Sequence, residues 1–269
     1  IYREFMKQIN EITFGHWKPF QTAGVTKIQH TKIISNSNML VAGKWLELDL
    51  GFQRNLRGEY SSPHAHGGST TGLSDEGLVL DLHTYSLASR YHLHNSDKFK
   101  TTIGLQASAM QNKIGGWEFV IPGYTQQQGG LFCIQQWKPS VRWVFNAGLR
   151  LETAAQQITK SVYPFYSQGN LIGDVVRNEK IGKEYFNYAA SLGGSFIVNE
   201  FFNIKLNAGK SYRVPTPVEL ASNGPHHGAF RYEVGDSQLN PEEGYQFDLG
   251  VVFERKRFHF AFSPYFNTF

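Results

Sequence analysis

Histidines occur in close pairs along this chain of 269 residues. Two histidines separated by one residue in an extended strand point to the same face, and neutral imidazole binds zinc, copper, nickel and iron well. The HExxH and HxxEH motifs of zinc hydrolases are absent from the sequence, so no carboxylate is placed as a general base beside a metal. The pairs therefore favour contact with a ligand over metal-dependent hydrolysis. They are His64 with His66, His92 with His94, and His226 with His227.

Two arginines flank the third histidine pair and extend this candidate site. Arg213 and Arg231 would add fixed positive charge, with bidentate geometry for carboxylate or phosphate groups. Imidazoles protonated near pH 6 would attract an anionic chelate as well. The alternative is that the loop histidines only order turns beside Pro63 and Pro225. The predicted ligand-binding residues are His64, His66, Arg213, His226, His227 and Arg231.

Nucleophilic and phosphate-binding chemistry has little support in the sequence. No GxSxG motif activates a serine, and Ser222 belongs to a turn-forming stretch. The glycine pairs at 129–130 and 193–194 are not followed by a predicted helix that would offer its amides to a phosphate. We therefore predict a protein that is not an enzyme, with no catalytic residue, no bound cofactor and no resident metal.

The composition excludes several classes of protein. Hydrophobic residues make up 41% and aromatic residues 14%, which excludes disorder, while only 18% are charged, against about a quarter in soluble domains. The net charge of +4 mildly favours anionic partners, but lysine and arginine never form a basic block, so we expect no nucleic-acid partner. The single cysteine, Cys133, excludes an internal disulfide. No apolar run approaches the 18 or so residues of a membrane helix.

Apolar residues alternate with polar or small ones in segment after segment, which is the period of a β-strand. Leu46, Leu48, Leu50 and Phe52, for example, interleave with Glu47, Asp49, Gly51 and Gln53. The pattern predicts an all-β protein, an antiparallel up-and-down meander of about ten strands. The predicted strands are Val25–Ile34, Met39–Arg54, Leu78–His92, Lys100–Gln111, Leu131–Trp137, Val141–Gln156, Phe186–Val198, Phe202–Arg213, Glu243–Arg255 and Phe258–Phe269.

Short and long connections alternate between these strands, as they do in outer-membrane β-barrels. The predicted short turns are Ser35–Asn38, Asn95–Lys98, Lys138–Ser140, Asn199–Phe201 and Arg255–Arg257, and aromatic residues gather beside them as a membrane belt would require. This sidedness places the first and third histidine pairs on the extracellular rim. A soluble carbohydrate-binding β-sandwich would also alternate and is the alternative. The polar residues predicted to face a lumen are Glu47, Asp49, Gln53, Arg142, Arg150, Lys205, Asn207 and Asp248.

The stretch from Ser211 to Glu242 and the two strands after it resemble the C-terminal barrel half of TonB-dependent outer-membrane receptors. The family pattern contains an aromatic-Arg-x-Pro-Thr segment, a Glu-Leu, a loop with paired histidines, a Tyr-Glu-x-Gly, a Leu-x-Pro-Glu and a strand that ends in Tyr-x-Asn-x-Phe. Stretches 51–68 and 121–152 look like the same family. The matching residues are Pro215, Thr216, Glu219, Leu220, Tyr232, Glu233, Gly235, Leu239, Pro241, Glu242, Tyr265, Asn267 and Phe269.

The resemblance implies a barrel of about 22 strands with a plugged lumen. Neither a plug nor a TonB box is seen in residues 1–269, so we expect the chain to be one partial barrel domain, internal to a longer receptor. It implies an outer-membrane location in a Gram-negative bacterium, with TonB, acting through the missing plug region, and outer-membrane lipid as partners. The implied function is energised import of an extracellular ligand, foremost a metal chelate such as a ferric siderophore, then haem, cobalamin or an oligosaccharide. A passive ten-stranded porin is the other alternative.

Overall fold

The computed structural model describes residues 25–60, 76–116, 118–167, 170–226 and 231–269, and most of them lie in β-strands. The strands are β1 (Val25–Val41), β2 (Lys44–Tyr60), β3 (Glu76–Asn95), β4 (Phe99–Gly115), β5 (Tyr124–Ser140), β6 (Trp143–Ile158), β7 (Ser161–Ser167), β8 (Asn170–Asn178), β9 (Ile181–Asn199), β10 (Phe202–Arg213), β11 (Asn223–His226), β12 (Arg231–Val234), β13 (Glu242–Arg255), β14 (Phe258–Phe262) and β15 (Tyr265–Thr268). A short helix, α1 (Pro217–Ala221), lies between β10 and β11.

One antiparallel sheet contains all the long strands. Its order is β1-β2-β3-β4-β5-β6-β9-β10-β13-β14, with β15 also paired to β13. The hairpins β7-β8 and β11-β12 form two small separate sheets. The predicted meander of about ten strands is confirmed. Because the described long strands form one continuous sheet and not two packed layers, the alternative of a soluble β-sandwich is excluded.

A closed ten-stranded porin is also excluded by the pairing. Within the described ranges β1 pairs only with β2, and β13 is the inner partner of both β14 and β15. The sheet is therefore open at its first and last strands. An open edge of 17 residues in β1 offers unpaired backbone groups to another strand.

Two predicted turns lie inside strands. Residues 35–38 belong to β1, and the first turn comes at Ala42 and Gly43, whose φ angles of 50° and 74° suit a tight hairpin. Asn36 extends the pairing, because its side chain donates to Asp49 across the strands at 2.7 Å. Residues 138–140 end β5, and the turn there is formed by Val141 and Arg142. Arg142 was therefore wrongly assigned to the lumen face.

Several short elements carry too few residues for periodicity to reveal them. These are α1, both small hairpins, and the break that divides the last predicted strand at Ser263 and Pro264. Pro264 cannot donate a backbone hydrogen bond, but its carbonyl accepts one from the Leu249 amide at 3.0 Å. The strand is interrupted there and resumes in β15.

The sheet has one apolar and one polar face, since residues paired across antiparallel strands share a face. Leu206 pairs with Leu249, and Asn207 pairs with Asp248 on the opposite face. Leu206 is 59% exposed. An apolar face left uncovered over the full width of a sheet is expected to contact lipid, as in membrane barrels.

Aromatic rings border the apolar face beside the short turns. Trp143 stacks on Phe196 at 4.2 Å and on Phe145 at 5.4 Å between ring centroids, and Trp137 continues the row at 5.5 Å from Phe145. Phe99 lies beyond Trp137 at 6.3 Å. This row matches the belt predicted from sequence. Among the described residues, no helix has the length and apolar character needed to cross a membrane.

Candidate functional site

The connection between β10 and β13 folds inward over the polar face of the sheet. Its helix α1 begins with a capping box: the Thr216 hydroxyl accepts from the Glu219 amide at 3.2 Å, and the Glu219 carboxylate accepts from the Thr216 amide at 2.8 Å. Pro217 occupies the first turn, where its missing N–H costs nothing. The sequence Thr-Pro-Val-Glu thus specifies this single helical turn locally.

Arg213 ties α1 to both strands that flank the connection. Its guanidinium donates to Glu219 at 2.8 and 2.9 Å and to Glu242 at 2.9 and 2.7 Å. The bonds from Arg213, followed by the Thr216 amide, lower the pKa of the Glu219 carboxyl to about 2. Glu219 is therefore ionised at neutral pH and holds the loop through a charge-assisted fork.

The helix is anchored below by a buried amide of the sheet. Gln156, 1% exposed, donates to the Pro215 carbonyl at 2.7 Å and to Gln126 at 3.2 Å. Beside it, Leu220 and Ala221 of α1 pack on Ile158 of β6. These three side chains form a buried apolar cluster among the described residues. It lies where α1 packs against β6.

Two glycines permit the remaining contacts of this loop. A Cβ on Gly224 would lie 1.8 Å from the Phe119 carbonyl oxygen, and one on Gly235 would lie 2.5 Å from the Ala221 amide nitrogen. The Gly235 amide donates to the Ser222 carbonyl at 2.7 Å. The loop between β4 and β5 and the returning chain before β13 therefore both pack against the α1 segment.

Unpartnered amide groups lie on the wall near α1. Within the described chain, Asn112 Nδ2, Gln156 Oε1 and Asn187 Nδ2 are buried and have no hydrogen-bond partner. Asn112 is 5% and Asn187 is 7% exposed. Two donors and one acceptor of the wall beside α1 thus have unused hydrogen-bonding capacity.

Deeper along the same face, Arg150 organises a second polar cluster. It pairs with Glu152 and donates to Gln106 at 2.7 Å. Tyr212 of β10 interacts with both Arg150 and Glu152. A depression of about 270 Å³, lined by Asp49, Ser86, Gln106, Ser108 and Glu152 among others, lies beside this cluster.

A third cluster closes the polar face near the short turns. Arg90 donates to Glu47 at 3.2 Å and to Asp49 at 3.0 Å. His92 lies 3.0 Å from Glu47 and 3.0 Å from the Thr102 hydroxyl. The His92 imidazole is therefore part of a structural network, and its predicted location away from the extracellular rim is consistent with this.

Among the predicted site residues, Arg213 is the one whose side chain the structure describes. His226 of β11 and Arg231 of β12 are backbone partners in the small hairpin above α1, so the loop brings these two positions together. His64, His66 and His227 lie outside the described residues. Ligand contact by all six therefore stays a prediction. The sequence analysis did not single out Gln156. Its position among the alternate residues of β6 that form the polar face was a signal that could have found it.

A metal centre has no support in the described ranges, where no group of three or more histidine, cysteine, aspartate or glutamate side chains could hold an ion. On the opposite, apolar face His83 and Asp81 do meet at 3.1 Å, but Arg54 donates to both oxygens of that carboxylate. The polar face is therefore a wall of paired charges and amides that can hydrogen-bond a passing or docked polar molecule.

Comparison with known proteins identifies the class. Residues 20–269 match the family model of the TonB-dependent receptor-like β-barrel, and the chain belongs to this family. The proteins of this family are outer-membrane receptors of Gram-negative bacteria. No curated protein matches the sequence.

Solved structures share the fold at low identity. The copper transporter OprC superposes with a TM-score of 0.64 at 13% identity, covering 89% of this chain and 38% of that one. The siderophore receptor PirA from Pseudomonas aeruginosa gives 0.59 at 14%, covering 90% and 39%. The Serratia marcescens hemophore receptor HasR, solved with HasA and heme, gives 0.54 at 12%, covering 87% and 40%. The chain thus spans about two fifths of the length of these relatives.

Proposed function

We propose that this chain forms part of the barrel wall of an outer-membrane importer that captures a metal chelate, foremost a ferric siderophore, and takes it up with energy delivered through TonB. The observation that carries the proposal is the inward fold of the β10–β13 connection. Helix α1 lies over the polar face, held by Gln156 below and Arg213 above. An ordered segment at this place would contact a polar cargo that docks over the wall.

The wall below the loop suits passage or docking of a polar cargo. It presents paired charges at Arg150 and Arg90. Similar structures named for siderophore, haem and copper uptake support a metal-containing cargo, although their likeness to this chain is one of fold. Cobalamin and oligosaccharides are the remaining candidates.

Uptake by cells tests the proposal directly. Cells that produce the full-length receptor containing this chain, cells that lack it and cells that lack TonB are supplied with radioactive iron bound to a panel of siderophores. We expect saturable uptake that needs both the receptor and TonB. Uptake that persists without TonB and rises linearly with concentration would instead assign a passive pore, and uptake of haem or cobalamin alone would reassign the cargo.

A further inference from the structure

We propose that the apolar face of β1 to β4 carries, at its long-loop end, a binding patch for the phosphate groups of outer-leaflet lipid. The cationic residues of the patch are Lys27, Arg54 and Lys113. The inference rests on the proposed membrane location and concerns the outer surface of the barrel, not its ligand path.

Strand register places these side chains on the lipid-facing side. Arg54 follows Phe52 on the same face, one step toward the long-loop rim, and pairs with His83 on β3. Lys113 pairs with Asp81, and Lys27 pairs with Gly58, further toward the rim. With about 4.8 Å between strands and about 3.3 Å per residue, the patch spans about 15 Å across the strands and about 13 Å along them.

The height of the patch is that of lipid headgroups. The Phe52 and Tyr85 rings, 5.2 Å apart, lie on the same face directly below Arg54 and His83. Tyrosine and phenylalanine rings at this level mark the membrane interface, and charges directly beyond it meet phosphate and not hydrocarbon. All three cationic residues are exposed.

The patch retains positive charge after its internal contacts are counted. Arg54 donates to Asp81 at 2.8 and 2.9 Å, which cancels one charge. Lys27 lies 4.6 Å from the centroid of the Tyr60 ring, a contact that leaves its charge in place. Lys113 supplies a further positive charge, and Glu76, the register partner of Tyr60, supplies one more negative charge, so the sum over these described residues stays positive.

The described residues of β9 and β10 at this end of the same face carry no such surplus. Lys210 on β10 is bound to Glu243 at 2.7 Å and covers the Tyr188 ring at 3.6 Å. On β9, Glu184 shares the lipid-facing side by its pairing with Ala155. An anionic lipid is therefore drawn to β1–β4 and not evenly to the whole circumference.

The test measures lipid binding to the purified full-length receptor by native mass spectrometry. The probes are bisphosphorylated lipid A, the same lipid after phosphatase treatment, and inorganic phosphate as a competitor. We expect K27Q/K113Q, which keeps the Arg54–Asp81 pair, to weaken binding of the phosphorylated lipid about tenfold. K32Q/K183Q removes two lysines from the polar face, where Lys32 pairs with Gln53 and Lys183 with Gln156, and should change nothing.

A second variant should strengthen lipid binding. D81N removes the carboxylate that binds Arg54 and should tighten binding of phosphorylated lipid A, while inorganic phosphate should not displace the lipid. Equal binding of K27Q/K113Q and wild type, or equal affinity for the phosphorylated and dephosphorylated lipids, would overturn the proposal. Each variant is first checked for the folded band on an unheated gel. Loss of iron uptake with lipid binding intact would count against the proposed function and not against the patch.

Discussion

The side-chain amide of Gln156 donates a 2.7 Å hydrogen bond to the carbonyl of Pro215, which joins two segments 59 positions apart. Gln156 lies near the end of β6, a central strand of the sheet, and Pro215 directly precedes Thr216, the N-cap residue of α1. Through this bond the wall of the barrel determines where the loop between β10 and β13 is placed. Mutations that remove one of the few contacts between this loop and the sheet should therefore lower the stability of the loop.

Gln156→Leu should release the loop. The change leaves the buried Pro215 carbonyl without a partner, at a cost of about 1–3 kcal/mol. Urea titration of the full-length receptor and hydrogen exchange at residues 214–222 measure the effect. Gln136→Leu is the control, because it breaks the bond from Gln136 to Asn146 at the opposite, more exposed end of the face. Equal effects of the two variants would contradict the anchoring role.

Gly224→Ala should destabilise the same loop by steric conflict. The new Cβ would approach the Phe119 carbonyl oxygen to 1.8 Å, so the backbone must shift, and overpacking of this kind costs about 1–3 kcal/mol. Gly129→Ala adds the same methyl group where nothing lies within 4 Å. The difference in unfolding free energy between these two variants isolates the contact, and a difference near zero would argue against it.

Acid should loosen α1 through Glu219. Its pKa in the folded chain is lowered to about 2 from 4.5, so the stabilisation it supplies is complete above pH 4.5 and is lost as the pH falls toward 2. E219Q should therefore increase hydrogen exchange of residues 214–222 at pH 7, and the gap to wild type should narrow as pH falls toward 2. E179Q, in the exposed pair with Lys160, is the matched control. A gap that does not depend on pH would show that the ion pair with Arg213 is not its cause.

An arginine introduced on the apolar face of β10 should destabilise the barrel much more than one introduced on its polar face. Leu206→Arg places a guanidinium in hydrocarbon and should cost about 2–4 kcal/mol near the bilayer midplane, whereas Asn207→Arg faces the lumen and should cost little. Gel mobility with and without heating, followed by denaturant titration in the full-length receptor, compares them. Equal tolerance at both positions would refute the assignment of faces.

The histidine loops should affect ligand affinity if they form the predicted site. Replacing His226 and His227 by alanine, and separately His64 and His66, should weaken binding at least tenfold, about 1.4 kcal/mol, with the melting profile unchanged. Titration with a ferric siderophore identified by the uptake assay, at pH values on either side of 6.5, measures this and its dependence on imidazole charge. Unchanged affinity in both double variants would rule the loops out and assign recognition to other residues of the receptor.

Much of this fold was determined by alternation along the chain. A period of two residues places Leu206 and Leu249 on one face and Asn207 and Asp248 on the other, and the register confirms it. The turns were predicted less well, because both Asn36 and the true turn at Gly43 belong to residue types common in turns. The side chain of Asn36 instead donates a hydrogen bond to Asp49 on β2. Asn36 therefore lies in a strand and not in a turn because of its partner on the neighbouring strand.

The sequence alone therefore determined the class of fold, the two faces and the local capping box at Thr216, since each depends on residues close together in the chain. Only the tertiary structure decided that Gln156 meets Pro215, that Gly224 passes against Phe119, and that Lys27 and Lys113 lie on one face near the same end of the sheet. These contacts join residues far apart in sequence. Their partners depend on strand order, register and the path of the loop, and the alternation of side chains along one strand carries no information on any of these.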